Sequence, residues 1–80
     1  VGWLPLYHDM GLVTQVLLPL VVGGQSVLLQ PQGWLRRPAS LLHAVHRHRG
    51  TLSAMPNFGF AHCANRIRDA ELAGVDLSSW

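Results

Sequence analysis

The chain has 80 residues, of which 49% are hydrophobic and 12% are charged, and its formal net charge is +2. This length allows one small domain at most, and so small a positive charge argues against a nucleic-acid partner. The single cysteine, Cys63, excludes a disulfide framework and a zinc-finger spacing. Because an apolar chain this short lacks the cross-links that stabilise small domains, we expect residues 1–80 to be an internal fragment of a larger protein, without a complete domain.

The longest apolar run, at residues 16–22, is interrupted by Pro19 and followed by two glycines. It is much shorter than the roughly 20 residues that a membrane-spanning helix needs. Because the cysteine is free and no targeting segment is present, the expected compartment is the cytoplasm.

The hydrophobic pattern predicts alternating strands and helices. Short apolar runs bounded by Gly and Pro predict three strands, at residues 1–6, 25–30 and 51–55. A helical pattern follows each strand, at residues 9–22, 38–49 and 58–72. The order β-α-β-α-β-α is typical of an α/β fold, here part of a parallel sheet with right-handed crossovers.

Proline and glycine residues are expected to bend or end the first two predicted helices. Pro19 should kink the first helix, because it removes one backbone hydrogen bond, and this helix should be buried on most sides, because few of its positions are polar. Gly23–Gly24 should end it with a left-handed residue, and Gly50 should end the second helix.

The remaining pattern predicts which residues face the core. Residues 31–33 should turn the chain, so that Trp34 and Leu35 pack onto the core from a loop. Apolar residues at helical spacing should face inward: Leu41, Leu42 and Val45 in the second helix, and Phe58, Ala61, Cys63 or Ala64, and Ile67 in the third.

Two polar residues follow the first predicted strand, and they form the first candidate site. In open α/β sheets, ligands bind where the chain leaves the carboxyl end of a strand. His8 at that point could contact a substrate carboxylate, while Asp9 is suited to cap the next helix. The alternative is that both residues serve only the local turn.

A second candidate, Pro56-Asn57-Phe58-Gly59-Phe60, follows the third predicted strand at the same edge of the sheet. Its two aromatic side chains could wall an apolar pocket, with Gly59 allowing a ligand close to the backbone. The alternative is that both phenylalanines pack into the core.

The helix at 38–49 carries His43, His46 and His48 interleaved with two arginines. Metal binding is disfavoured, because residues five apart diverge around a helix and no carboxylate or cysteine lies nearby in the sequence. We interpret this cluster as the solvated face of an amphipathic helix. Cys63 is interpreted as a buried, inert thiol.

Residues 3–12 read WLPLYHDMGL, which matches a signature of the fatty acyl-AMP ligases, and the chain resembles that family over essentially its whole length. The likeness continues through residues 18–20, 34–38, 56–58 and 74–80, in the family's order and spacing. The aspartate and methionine after the histidine separate the chain from typical acyl-CoA synthetases, which carry other residues there.

The resemblance implies an enzyme that converts a fatty acid and ATP, with Mg²⁺, into acyl-AMP and pyrophosphate. The acyl group then passes to the phosphopantetheine thiol of an acyl carrier protein, often in a polyketide or nonribosomal peptide synthase. By the same resemblance, His8 helps to place the acyl carboxylate, Gly11 gives clearance, and Asn57 and Phe58 line the fatty-acyl tunnel. None of these residues is assigned a general acid or base role.

The family's phosphate loop, adenine-binding segment and catalytic lysine fall outside this chain. We therefore expect no cofactor or metal contact within it, and no activity from the 80 residues alone. The alternatives are a fragment of an acyl-CoA synthetase or of a nonribosomal peptide adenylation domain, and a small non-catalytic α/β binding module.

Overall fold

The structure, a computed structural model, describes residues 1–7 and 9–80; His8 lies outside the described residues. The α-helices are α1 (Asp9–Leu12), α2 (Leu18–Val22), α3 (Pro31–Arg36), α4 (Ala39–His48) and α5 (Asn57–Arg66). A π-helical turn, Val13–Leu17, joins α1 to α2, and a 3₁₀-helix, Asp69–Leu72, follows α5.

The three predicted strands are extended segments joined by few hydrogen bonds. Within the described residues one parallel bridge pairs Gly2 with Leu28: the Gly2 amide donates to the Val27 carbonyl at 3.0 Å, and the Leu29 amide donates to the Gly2 carbonyl at 2.8 Å. On the other side of the first segment, the Val1 nitrogen donates to the carbonyl of Leu52 at 2.9 Å.

The first segment therefore lies between the other two, but a continuous parallel sheet is not confirmed. Regular strands are absent from residues 1–7 and 9–80. Pro5 explains part of this difference, because it lies inside the first predicted strand and lacks the amide that a ladder would need. Pro31 and Pro56 follow the other two predicted strands directly.

The predicted first helix forms over its full length, and Pro19 removes one backbone hydrogen bond from it, as predicted; the kink itself stays a prediction. A π-helical turn precedes the proline, and the Leu18 amide donates to the carbonyl of Val13, five residues back. The carbonyl of Gln15 has no α-helical donor, because Pro19 has no amide hydrogen. The hydroxyl of Ser26 donates to this carbonyl at 2.6 Å instead.

The first helix ends as predicted, since Gly23 adopts the left-handed conformation at φ 70°. Its expected burial is wrong for the chain as described. Leu20, Val21 and Val22 are exposed, Val21 by 82%, because none of the described residues covers that side of α2.

Residues 31–33, predicted as a turn, open the short helix α3, which begins at a proline as helices commonly do. The expectation for Trp34 is confirmed, because only 1% of its surface is exposed. Leu35 is exposed instead.

Helix α4 buries Leu41 and Val45 as predicted, while Leu42 is half-buried. The prediction for its end is wrong in detail. The left-handed residue is Arg49, at φ 53°. Gly50 is needed for close packing instead, because a Cβ there would lie 2.6 Å from Cγ2 of Val1.

The third helix differs most from the prediction. Helix α5 ends at Arg66, and the 3₁₀-helix follows an extended break at Ile67 and Arg68. Ala61 and Phe58, predicted to face inward, are exposed. The buried position is Gly59, where a Cβ would lie 2.7 Å from the sulfur of Met55, so the helix presents its smallest residue to the core.

The core forms around two stacked indole rings. The centroids of Trp3 and Trp34 are 3.8 Å apart and their planes are nearly parallel, at 8°. Stacked aromatic rings bury a large apolar area and hold two segments in one relative position. The other buried residues of this cluster are Leu4, Leu41 and Met55.

Candidate functional site

The first extended segment passes from the core to solvent just before His8. Trp3 and Leu4 are buried, whereas Tyr7 is 92% exposed. Asp9 is exposed and is the first residue of α1, so its carboxylate lies in the first turn and not at the predicted cap position. In the first turn, a carboxylate is still stabilised by the positive end of the helix dipole.

Gly11 lies in α1 at a point where the helix touches the preceding backbone. A Cβ on this residue would lie 2.2 Å from the carbonyl oxygen of Pro5 and 3.1 Å from Cβ of Leu4. The glycine is therefore required by the chain's own packing. Whether it also gives clearance to a substrate stays a prediction.

The second candidate segment begins with Asn57, which is exposed and opens α5. The ring of Phe58 is 60% exposed, and its centroid lies 6.0 Å from the ring of Trp3. Since Trp3 precedes His8 in the same segment, the start of α5 packs beside the segment that leads to the first candidate.

Gln15 is a buried polar residue near the candidate site that sequence reasoning missed. Its side chain is buried, with 6% of its surface exposed, and its Nε2 donates to the carbonyl of Leu4 at 2.6 Å. The Oε1 atom is buried without a hydrogen-bond partner among the described residues. The available signal was one amide in a mostly apolar helical run.

An apolar recess of about 250 Å³ lies where the first two segments approach their carboxyl ends. Its walls include Leu4, Leu6, Gln15, Leu28 and Pro31. The lining is suited to an apolar chain, and none of the described residues that form it comes from α5.

A larger cavity, of about 300 Å³, lies at the opposite edge, where the extended segments begin. Its walls include Val1, Ser26 and Leu52, with Leu18 and Val22 of α2. Because ligands of open α/β sheets bind at the carboxyl ends of the strands, the larger cavity does not coincide with the candidate site.

The sequence profile of the family described as "AMP-binding enzyme" matches residues 1–80, which is the entire chain. The chain belongs to the AMP-binding enzymes. It is 44% identical, over 99% of its length, to a medium-chain fatty-acid–acyl-carrier-protein ligase of Teredinibacter turnerae, and 48% identical, over 96%, to a long-chain-fatty-acid–AMP ligase of Mycobacterium marinum. It spans 12% and 13% of these two proteins.

A solved fatty acyl-adenylate ligase from Legionella pneumophila, in complex with acyl adenylate and pyrophosphate, has the same fold over 99% of this chain. The TM-score is 0.93 at 40% identity, and the chain covers 14% of that structure. The backbone described here is therefore that of a portion of an AMP-binding enzyme, even though its sheet hydrogen bonds are sparse.

In this AMP-binding enzyme the histidine cluster of α4 holds the C-terminal segment. Nε2 of His43 donates to the carbonyl of Glu71 at 2.6 Å, and the Asp76 amide donates to Nδ1 of His46 at 2.9 Å. Arg49 pairs with Asp76 at 3.1 Å. The interpretation as a solvated face agrees with the exposure of the residues from His46 to Arg49. The contacts with the C-terminal segment were not predicted.

Asp76 is exposed, yet local donors stabilise its carboxylate. The hydrogen bond from the Ser78 amide, and then those from the Ser78 hydroxyl and Arg49, hold the pKa of Asp76 below its ordinary value. The ionised carboxylate of Asp76 is therefore the form that stabilises the docking of the C-terminal segment on α4.

Cys63 is half-buried on α5, and burial raises the pKa of its thiol. A raised pKa disfavours the nucleophilic thiolate. The interpretation of this residue as an unreactive thiol agrees with its surroundings.

Within residues 1–7 and 9–80, no group of three His, Cys, Asp or Glu side chains is placed to hold a metal ion. Nor is any helix of this described part long and apolar enough to cross a membrane.

Proposed function

We propose that the protein containing these 80 residues is a fatty acyl-AMP ligase. It activates a fatty acid with ATP, giving acyl-AMP and pyrophosphate, and passes the acyl group to the phosphopantetheine thiol of an acyl carrier protein. The observation that carries the proposal is the similarity over nearly the whole chain to proteins named for this chemistry, one of them solved with acyl adenylate and pyrophosphate.

We propose further that the chain is an internal piece of the large N-terminal domain of that enzyme. The match to 12–14% of each relative supports this assignment. A parallel sheet in β-α-β-α-β-α order is proposed for the complete domain. The hydrogen bonds that place the first extended segment between the other two support that order.

Within the enzyme, the role proposed for His8 is to orient the carboxylate of the fatty acid. The support is the course of the chain around it, because buried Trp3 and Leu4 anchor the segment while Tyr7 and Asp9 are exposed. Gly11, Asn57 and Phe58 are proposed to lie along the acyl path. ATP enters with Mg²⁺, which screens its phosphates while the carboxylate attacks.

The proposed partner is a carrier protein of a polyketide or nonribosomal peptide synthase, and the proposed compartment is the cytoplasm. The name of the Teredinibacter relative supports a carrier partner, and the free cysteine supports a reducing compartment. Membership of an enzyme family sets aside the alternative of a small non-catalytic module.

The test uses the full-length enzyme, in which His8→Ala should slow acyl-AMP formation about a hundredfold, because misplacing a reacting group by roughly an ångström has that effect. The measurement is fatty-acid-dependent pyrophosphate release in a single turnover, with ATP affinity measured in parallel. ATP affinity should change little. The matched control is His48→Ala, which removes an exposed histidine of α4. An unchanged single-turnover rate would remove His8 from the site.

A further inference from the structure

Gln15 is a buried amide that ties the helical run after His8 to the segment before it. Its Nε2 donates to the carbonyl of Leu4 at 2.6 Å, and Leu4 is the last buried residue before the chain emerges. An unpaired buried carbonyl is costly, so this bond fixes where the first segment ends relative to the helix.

The surrounding backbone is shaped to accept this side chain. Gly2 leaves the necessary space, since a Cβ there would lie 2.0 Å from Oε1 of Gln15. The π-helical turn Val13–Leu17 contains Gln15, and such turns often occur at functional sites. Pro19 leaves the Gln15 carbonyl without its helical donor, and Ser26 supplies one at 2.6 Å. The side chain and the backbone carbonyl of Gln15 are therefore each fixed by a hydrogen bond.

The described turn at Leu6 and Tyr7, which leads to position 8, is therefore fastened near both of its ends. Before the turn, Gln15 holds Leu4; at the helix start after it, Gly11 lies directly against the Pro5 carbonyl. We propose that Gln15 is a positioning residue that keeps this turn in the geometry needed to orient the fatty-acid carboxylate. The expected effect on catalysis rests on the proposed function, whereas the tie, which is the hydrogen bond from Gln15 to the Leu4 carbonyl, rests on the structure alone.

The first experiment tests the tie between Gln15 and Leu4 by hydrogen exchange, without measuring activity. In the full-length enzyme, Gln15→Met keeps the size of the side chain but removes the donor, and Gly2→Ala should displace the amide by crowding Oε1. Both variants should accelerate amide hydrogen exchange in residues 6–12 and leave that of α4 unchanged. The matched control is Gly33→Ala, where the nearest atom to the added Cβ, Cβ of Gln30, is 3.9 Å away.

The second experiment measures the consequence for catalysis. In Gln15→Met, the rate of acyl-AMP formation should fall about tenfold or more, because small misplacements of a reacting group are costly, while KM for ATP stays the same. Gln15→Glu should recover activity as the pH is lowered, because a protonated carboxyl group can again donate to the Leu4 carbonyl. Gln15→Met should show no such recovery.

A double-variant comparison separates the amide from general crowding. If Gly2→Ala acts by displacing Gln15, it should have little further effect once Gln15→Ala has made room, since coupled residues are not additive. Unchanged exchange in residues 6–12 of Gln15→Met would overturn the tie, whatever the activity. Faster exchange with unchanged acyl-AMP formation would overturn the positioning role, and a wild-type enzyme that forms no acyl-AMP would overturn the proposed function while exchange still decides the tie.

Discussion

Gly11 is the residue at which a single methyl group should do most damage near the candidate site. An added Cβ would lie 2.2 Å from the Pro5 carbonyl oxygen, and backbone atoms cannot move aside as a flexible side chain can. We expect Gly11→Ala to lower the free energy of unfolding by about 1–3 kcal/mol, which is typical of overpacking.

The measurement is the urea midpoint of the full-length protein. Gly33→Ala is the control, because its added Cβ would meet only Cβ of Gln30, at 3.9 Å. It should be neutral or stabilising by about 0.5–1 kcal/mol, as alanine is favoured over glycine inside a helix. Equal midpoints for the two variants would show that the contact between Gly11 and Pro5 is not tight.

At the scale of elements, the docking of the C-terminal segment on α4 should depend on the charge of Asp76. The pKa of Asp76 is held low in the folded chain by Ser78 and Arg49, so the carboxylate stabilises the docked segment above the ordinary pKa of an aspartate. This contribution is lost as the pH falls through the lowered pKa. Acidification below about pH 4, the ordinary range for aspartate, should therefore loosen residues 74–79.

Hydrogen exchange of residues 74–79 as a function of pH, corrected for intrinsic rates, is the measurement for this prediction. Asp76→Asn should remove much of the acid-induced change, and an Asp69→Asn control should retain it, because no hydrogen bond links that side chain to α4 within the described contacts. Identical acid profiles in wild type and Asp76→Asn would show that the carboxylate does not hold the segment.

The helices were the most predictable elements, because their signals are local. Apolar spacing and glycine located the run from 9 to 22 and the helix α4, and the left-handed Gly23 follows from its lack of a side chain. The inward face predicted for the third helix was right only in part, because Cys63 packs against the core whereas Phe58 and Ala61 are exposed. The side of α5 that faces the core depends on Met55, which packs against Gly59. A tertiary contact of this kind produces no periodic pattern in the sequence.

The strands and Gln15 were predictable only in part, for the same reason. Regular strands need a continuous ladder of hydrogen bonds to a neighbouring strand, and the described chain supplies one parallel bridge. The buried amide of Gln15 depends on space left by Gly2, thirteen positions earlier. The site predicted at His8 follows from the rule of strand ends, which depends only on element order, and it stays a prediction.

At the scale of the whole molecule, the 80 residues leave much apolar surface uncovered. Leu20, Val21 and Val22 of α2 and both phenylalanines of α5 are exposed. Large exposed apolar patches mark interaction surfaces or cause aggregation, and the relatives are several times longer than this chain. We propose that the rest of the N-terminal domain covers these faces.

The 80-residue chain alone should therefore unfold without a cooperative transition or aggregate, and it should form no acyl-AMP. Thermal melting followed by circular dichroism, sedimentation, and pyrophosphate release with ATP and dodecanoate test these expectations together. The control is the full-length enzyme under the same conditions. A monomeric chain with a sharp melting transition would show that these residues form an independent domain.

The central claim is that the complete protein makes a fatty acyl adenylate and delivers it to a carrier protein. Its most direct test is mass spectrometry of the products when the full-length enzyme receives a fatty acid, ATP, and equal amounts of CoA and a phosphopantetheinylated carrier protein. We predict acyl-AMP and acyl-carrier protein with little acyl-CoA. Predominant acyl-CoA, or no acyl-AMP with any fatty acid, would contradict the assignment.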